Sequence, residues 1–164
     1  MGYEIKISVR NLVEFLLRSG DLDDRGGGSP EDAMVRGALM HRKLQGAQGA
    51  EYASEVSLKA AWVLPDTWRE EEIAVLIEGR ADGIFPAVNP EMEIAGRLWT
   101  IDEIKTTYRK LSRMKEPEPV HLAQALCYAW IWCRDNALEE ISIRMTYCSL
   151  DTEEIKYFWY YRTA

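Results

Sequence analysis

The chain is expected to fold as a mixed α/β domain, a small central β-sheet flanked by helices. Two observations predict it. Amphipathic helical segments and strand-like runs alternate along the chain in the order helix, helix, three strands, helix, two strands. Proline, asparagine and glycine break the strand-like runs from one another. The 164 residues are 47% hydrophobic, enough for one packed core and too apolar for general disorder. There is no internal repeat and no interdomain linker, so residues 1–164 read as a single domain.

Ser8 is placed to cap a first helix through VRNLVEFLLRSG, with Val9, Leu12, Val13 and Leu16 as its apolar stripe and Gly20 at its C-terminal end. The polar, glycine-rich DLDDRGGGSP that follows reads as a mobile surface loop. Ser29, Pro30 and Asp32 supply a cap, a first-turn proline and a capping-box acid for a second helix reaching about Gln45. Its inward face is expected to carry Met34, Gly37, Ala38, His41 and Leu44. Residues 52–59, 73–85 and 98–107 read as strands, the last two separated by PAVNPEMEIAGR. A third helix enters after Pro119, and strands over ISIRMTYCSL and EIKYFWYY, divided by an Asp151-Thr152 turn, complete the order.

The formal charge is −7, from 27 acidic and 20 basic residues, which argues against a wholly basic DNA-binding surface. Local basic stretches remain. Lys105, Arg109, Lys110, Arg113 and Lys115 stand without an acid over residues 104–115, and Arg36, Arg42 and Lys43 do so over 33–50. Both can guide a phosphate backbone or serve as solvated faces. Trp62, Trp68 and Tyr108 are read in or near loops, where they can pack or stack on unpaired bases. The three cysteines, Cys127, Cys133 and Cys148, form no CxxC pair and read as free thiols. The N-terminal segment has no apolar h-region, and the run Ala125 to Cys133 is too short to span a bilayer. A cytoplasmic location without membrane attachment is expected.

Candidate chemistry comes from strand parity. In LWTIDEIKTT, Trp99, Ile101, Glu103 and Lys105 share one face and Asp102 points to the other. In the preceding strand Leu76, Glu78, Arg80 and Asp82 share a face, and a hairpin near Glu91 would set Asp82 opposite Glu103. Two close carboxylates repel unless a cation lies between them. A hard ion such as Mg²⁺ is the usual solution, with a lysine nearby to orient water or neutralise a phosphoryl transition state. The tripeptide EIK occurs three times, and only its context singles out residues 103–105. On the third helix His121, Gln124 and Tyr128 form a polar stripe, readable as a satisfied network or as part of a site. His41 lies on an apolar stripe, as a packed core residue or a metal ligand. Glu55, on the first predicted strand, fits a solvent face equally well.

These residues form four ordered motifs: Gly37-Ala38-Leu39-Met40-His41, Gly79-Arg80-Ala81-Asp82, Glu103-Ile104-Lys105, and Gln124-Ala125-Leu126-Cys127-Tyr128. Together they resemble the PD-(D/E)XK nuclease superfamily in its RecB-like branch, whose pattern is GxxxH, GxxD, (D/E)xK and QxxxY. The resemblance covers about residues 8–160. The phrases ISVRNLVEFLLRSGDLD, GRADGI, TIDEIK, VHLAQALCYAW and MTYCSLDTEEIK look most like the N-terminal nuclease domain of some bacterial DinG-type, XPD-like helicases. The resemblance implies a restriction-endonuclease-like core. It also implies Mg²⁺- or Mn²⁺-dependent hydrolysis of DNA phosphodiesters, an exonuclease-type activity in DNA repair or processing, on single strands, ends or flaps. It implies a metal site of His41, Asp82, Glu103 and the Ile104 carbonyl, Lys105 as the catalytic lysine, and Gln124 and Tyr128 holding DNA or ordering the site. Glu55 and His121 are weaker additions. Several RecB-like relatives hold an iron–sulfur cluster on four cysteines. This chain has three, so no cluster is expected. No Walker A motif is present, so the resemblance implies either a domain excised from a longer helicase, with the motor a partner in cis, or a stand-alone relative. The alternative from another class is a non-catalytic nuclease-like module that binds DNA or docks a helicase.

Overall fold

The structure is a computed structural model, and the residues described are 3–17, 29–66, 71–93 and 96–163. The elements in chain order are β1 (Tyr3–Ser8), α1 (Val9–Leu16), α2 (Pro30–Gly46), β2 (Ala53–Asp66), β3 (Glu71–Ala87) and β4 (Leu98–Thr107). A 3₁₀ turn (Leu111–Arg113), α3 (Pro119–Asn136), β5 (Glu140–Ser149) and β6 (Ile155–Thr163) follow. The expected α/β class holds: six strands form one mixed sheet flanked by helices. Gly20 and most of the glycine-rich segment after it lie outside the described residues, as does Trp68.

One strand is additional to the sequence reading. Tyr3, Ile5 and Ile7 alternate with Glu4, Lys6 and Ser8, a period-2 pattern six residues long. β1 lies parallel to β3, with Ile7 beside Ile77. Its first four residues are exposed, and Glu4 and Lys6 carry charge along this edge. Ser8 then turns the chain into α1 by accepting the Asn11 N–H at 3.1 Å.

β3 organises the sheet. Along one side it pairs with β2, antiparallel, from residue 71 to residue 84. Its other side is shared: residues 73–78 pair with β1, and residues 83–87 pair with β4. The four residues between, Gly79 to Asp82, have no strand partner on that side. β4 leaves β3 after Asp102 and continues parallel to β5 as far as Thr107. A cleft therefore opens between residues 79–82 of β3 and residues 103–107 of β4. Such partings of neighbouring strands are where open α/β sheets usually place ligands.

Helices cover both faces. Val9 and Val13 of α1 join Ala125, Ala129 and Ile131 of α3 over Ile101, Ile143 and Met145 of the sheet in the main core. On the opposite face Met40 and Leu44 of α2 pack on Ile104, Cys148 and Leu150. Side-chain alternation along β4 thus sends Ile101, Glu103 and Lys105 toward α3, and Asp102, Ile104 and Thr106 toward α2. A fully buried Ile104 contributes about 1.5–3 kcal/mol by leaving water and ties α2 to the strand that carries the candidate lysine.

Two expected core positions are corrected. Met34 and Ala38 are exposed, and the buried stripe of α2 is Gly37, Met40 and Leu44. Gly37, Met40 and Leu44 form the row turned to the sheet, while Met34 and Ala38 lie on the neighbouring row, so the inward face is rotated from the expected one. Leu16 is 66% exposed at the end of α1, where the stripe runs past the edge of α3. Trp62 is also not a loop residue. It lies in β2, with its ring stacked on Trp130 at 5.2 Å.

Candidate metal-and-phosphate site in the β3–β4 cleft

The cleft gathers residues from all four sequence motifs. Cross-strand pairing ends at Gly83 opposite Asp102, so Asp82 and Glu103 are the next facing positions, as strand parity predicts. Asp82 bridges the opening: its Oδ2 accepts the Ile104 N–H at 2.6 Å. Glu103 is almost wholly buried, and its Oε1 lies 2.8 Å from Lys105 Nζ. Lys105 Nζ also donates to Gln124 Oε1 at 3.3 Å, and Gln124 Nε2 donates to the Tyr128 phenol at 3.3 Å. A polar chain thus runs from β4 to α3, and the expected stripe of Gln124 and Tyr128 is a connected network.

Tyr128 closes the cleft on the β3 side. A β-carbon at residue 79 would sit 2.7 Å from both the Tyr128 hydroxyl and ring carbon Cε1, so only glycine leaves room for the phenol. This links the glycine of one motif to the tyrosine of another. Burial holds the phenol above its ordinary pKa, with the nearby Gln124 amide and Arg80 backbone acting the other way.

α2 supplies the other wall. Gly37 is buried against the Thr106 hydroxyl of β4. One turn on, His41 Nδ1 lies 3.7 Å from Asp82 Oδ1, close enough for charge attraction and too far for a hydrogen bond. One further turn on, Gln45 Nε2 donates to the Asp82 carbonyl at 2.9 Å and to Glu55 Oε1 at 2.8 Å. Sequence reasoning missed Gln45, although its i+4 spacing from His41 puts both on one helical face.

Glu55 explains why that carbonyl is free. Its backbone takes φ 57°, the left-handed region that a β-sheet residue normally avoids. The β2–β3 pairing runs from Ser54–Gly83 to Val56–Ala81 and omits Glu55 and Asp82 between them. Gln45 takes the hydrogen bond the ladder gives up. The Glu55 side chain is exposed, its Oε2 2.6 Å from Arg80 Nε, so it borders the cleft through Gln45 and Arg80.

The two carboxylates are electrostatically costly as they stand. Burial pushes the Glu103 carboxyl up to about 8; Lys105 opposes this and Asp82 adds to it. Burial also raises Asp82, against the attraction of His41 and the Ile104 N–H. Glu103 Oε2 is buried with no hydrogen-bond partner. Asp82, whose side chain is partly exposed, has its Oδ1 3.7 Å from the His41 ring. One buried orphaned carboxylate oxygen beside a second, partly exposed carboxylate is a donor set a hard divalent cation takes. Among the described residues no three His, Cys, Asp or Glu side chains already converge as a cage. The fit is therefore of a two-carboxylate site completed by water and substrate oxygens, with His41 beside it. Ile104 is fully buried, with its Cα beside Thr146 of β5.

No family model and no curated protein matches the chain. Solved structures do. One, described as "Crystal structure of SSO0001", aligns over 100% of this chain and 70% of its own length, at 17% identity and a TM-score of 0.59. The likeness is one of α/β fold.

On the reverse face of β4 lies a second buried group that the sequence reading did not see. Asp102 accepts from Tyr52 Oη (2.7 Å), Arg144 Nη2 (2.7 Å), Arg144 Nε (3.1 Å) and Thr146 Oγ1 (2.6 Å). The Arg144 guanidinium lies over the rings of Phe85, Tyr157 and Trp159 and also donates to Gln48 Oε1 at 3.1 Å. Gly83 is needed here too, because a β-carbon would fall 1.9 Å from the Tyr52 ring. With every acceptor satisfied, the network reads as structural. Gln48 and Tyr52 follow α2 directly, so it anchors the segment that sets His41 and Gln45.

Cys133 sits in the main core and Cys148 in the smaller one, while Cys127 packs at the edge of the main core. Among the described residues, no helix is long and apolar enough to cross a membrane.

Proposed function

We propose that the chain is a Mg²⁺- or Mn²⁺-dependent deoxyribonuclease domain that hydrolyses DNA phosphodiesters at single strands, ends or flaps. What supports this reading is that Asp82 and Glu103, just beyond the last β3–β4 pair, are close enough for Asp82 to raise the Glu103 carboxyl. Both carboxylates are destabilised as anions, Glu103 has a buried oxygen without a donor, and Lys105 is fixed 2.8 Å from Glu103. A structural ion pair would not leave Glu103 Oε2 orphaned in the interior, since such an atom costs about 1–3 kcal/mol or more. A divalent cation would be held by Asp82 and Glu103 with His41 alongside. Once bound, it supplies a Lewis acid and lowers the pKa of a bound water.

The chain's own groups do the rest. Lys105, tethered between Glu103 and Gln124, presents a fixed ammonium to charge developing on a phosphoryl oxygen. Tyr128 and Gln124 hold that ammonium in place. Arg109, Lys110, Arg113 and Lys115 line an open pocket of about 580 Å³ just beyond β4, with Glu116 and Glu118 also on its wall, and this net basic lining favours a phosphate backbone.

The test is cleavage of end-labelled single-stranded and flapped DNA with Mg²⁺, Mn²⁺ or EDTA, alongside calorimetry with Mn²⁺. Metal-dependent product and a Mn²⁺ heat that Glu103→Gln abolishes support the reading. No heat and no product would leave the docking module beside a helicase.

A further inference from the structure

His121 plays no part in the metal site, yet its surroundings are unusually well defined. It lies on the first turn of α3, half-buried, with Nδ1 2.8 Å from the hydroxyl of Tyr147. Tyr147 is on β5 with its Cα beside that of Lys105, and it is 1% exposed. Its hydroxyl oxygen accepts the Glu118 N–H at 3.1 Å. The phenolic hydrogen has no other acceptor among the described residues. A buried O–H without an acceptor is costly, so it must point at Nδ1. That fixes the tautomer: Nδ1 is the acceptor, and the ring hydrogen is on Nε2. Nε2 has no hydrogen-bond partner among the described residues, and the side chain is only partly buried, which leaves that nitrogen for an outside acceptor.

The charges around the ring are mostly positive. Lys105, Arg10 and Arg109 all act on it, with Glu14 opposing. Arg109 pairs with Glu118 at the start of α3, and Arg10 pairs with Glu14 within α1, 2.9 Å apart. Burial first, and these cations next, push the imidazole down to about 4. The ring is therefore neutral where nucleic acids are stable.

We propose that His121 contacts a backbone phosphate of the DNA through Nε2–H, as a neutral donor locked into one tautomer by Tyr147. The contact lies next to Lys105 and positions the strand rather than taking part in bond cleavage. The inference rests on the DNA reading above and adds a specific binding residue to it. Its distinguishing physics is that a neutral donor contributes affinity without releasing a counterion.

The experiment is fluorescence anisotropy of a labelled single-stranded oligonucleotide with the full chain, in Ca²⁺, over a salt series. His121→Phe is expected to weaken binding roughly ten-fold while leaving the slope of log affinity against log salt unchanged. Arg109→Gln is expected to reduce that slope by about 0.7. His121→Gln, whose amide replaces Nε2–H, is expected to recover most of the loss. Nitrogen-15 spectra at pH 7 should show the Nε2–H tautomer, with a shift on adding oligonucleotide. Unchanged affinity for His121→Phe, with wild type binding normally, overturns this inference alone. A reduced salt slope for His121→Phe overturns the neutral-donor assignment. Wild type that does not bind the oligonucleotide at low salt overturns the DNA reading, and this inference with it.

Discussion

The phenol of Tyr128 occupies the space that a β-carbon at Gly79 would need, 2.7 Å from that position. Two motifs 49 residues apart in the chain (79 to 128) are thus parts of one contact. Gly79→Ala is expected to push the ring aside, break the Gln124–Tyr128 bond, and cost about 1–3 kcal/mol. A double-mutant cycle with Tyr128→Leu, followed by urea unfolding, checks it. The two changes should be strongly non-additive, because leucine removes the atoms that clash. Additive costs would mean the contact does not constrain the site.

Glu103 gives the metal-free protein a pH dependence of known sign. Its folded-state value of about 8 lies above its ordinary 4.5, so between these values the folded state holds a proton that the unfolded state has lost. Stability from this group is present below about pH 4.5 and is lost as pH rises toward 8. Thermal unfolding in EDTA should show Glu103→Gln gaining on wild type from pH 5 to pH 8, by roughly 2–4 °C for each kcal/mol relieved. Mn²⁺ should raise the wild-type melting temperature more at pH 8 than at pH 5, since cation binding needs the deprotonated carboxylate. A flat difference across pH would place no buried charge at residue 103.

Arg144 should matter for stability far more than its distance from the cleft suggests. Arg144→Met leaves Asp102 buried with two of its four hydrogen bonds. Losing one partner of a buried ion pair costs about 3–5 kcal/mol. Urea unfolding should show a loss of that size. A loss under about 1 kcal/mol would mean that the Asp102 carboxylate is solvated or protonated.

Gln45 is expected to hold the Asp82 backbone where the β2–β3 ladder lapses. Gln45→Ala should lower DNA cleavage about ten-fold or more with a small stability cost, because a sub-ångström shift of a reacting group is expensive. Comparing cleavage rates with melting temperatures separates the two effects. Equal rates would mean that Asp82 is positioned without it.

Much of this was legible from residues alone. Ser29-Pro30 marked the start of α2, Pro119 that of α3, and LWTIDEIKTT spans β4 to the residue. Period-2 parity placed Asp82 across from Glu103 because one hairpin fixes the register. The remainder depended on tertiary context. β1 carries a clear alternation but is short, and it gains its partner only from β3, more than sixty residues later. Asp102 parity pointed away from Glu103, but nothing local foretold that Arg144 and Tyr52 would meet it there. The left-handed Glu55 coincides with the lapse in the ladder opposite Asp82, and no residue propensity encodes either. The inward face of α2 is rotated from the periodicity reading, because Gly37, Met40 and Leu44 rather than Met34 and Ala38 meet the sheet, and small or mixed residues on both rows leave the pattern ambiguous.

If Lys105 serves metal-assisted cleavage of DNA, single-turnover cleavage of an end-labelled flapped DNA in Mn²⁺ separates wild type from Lys105→Ala, compared at matched melting temperature. Wild type is expected to cut, and Lys105→Ala to cut about 10²–10³-fold more slowly with Mn²⁺ binding retained. Cleavage at the wild-type rate after Lys105→Ala would rule that role out.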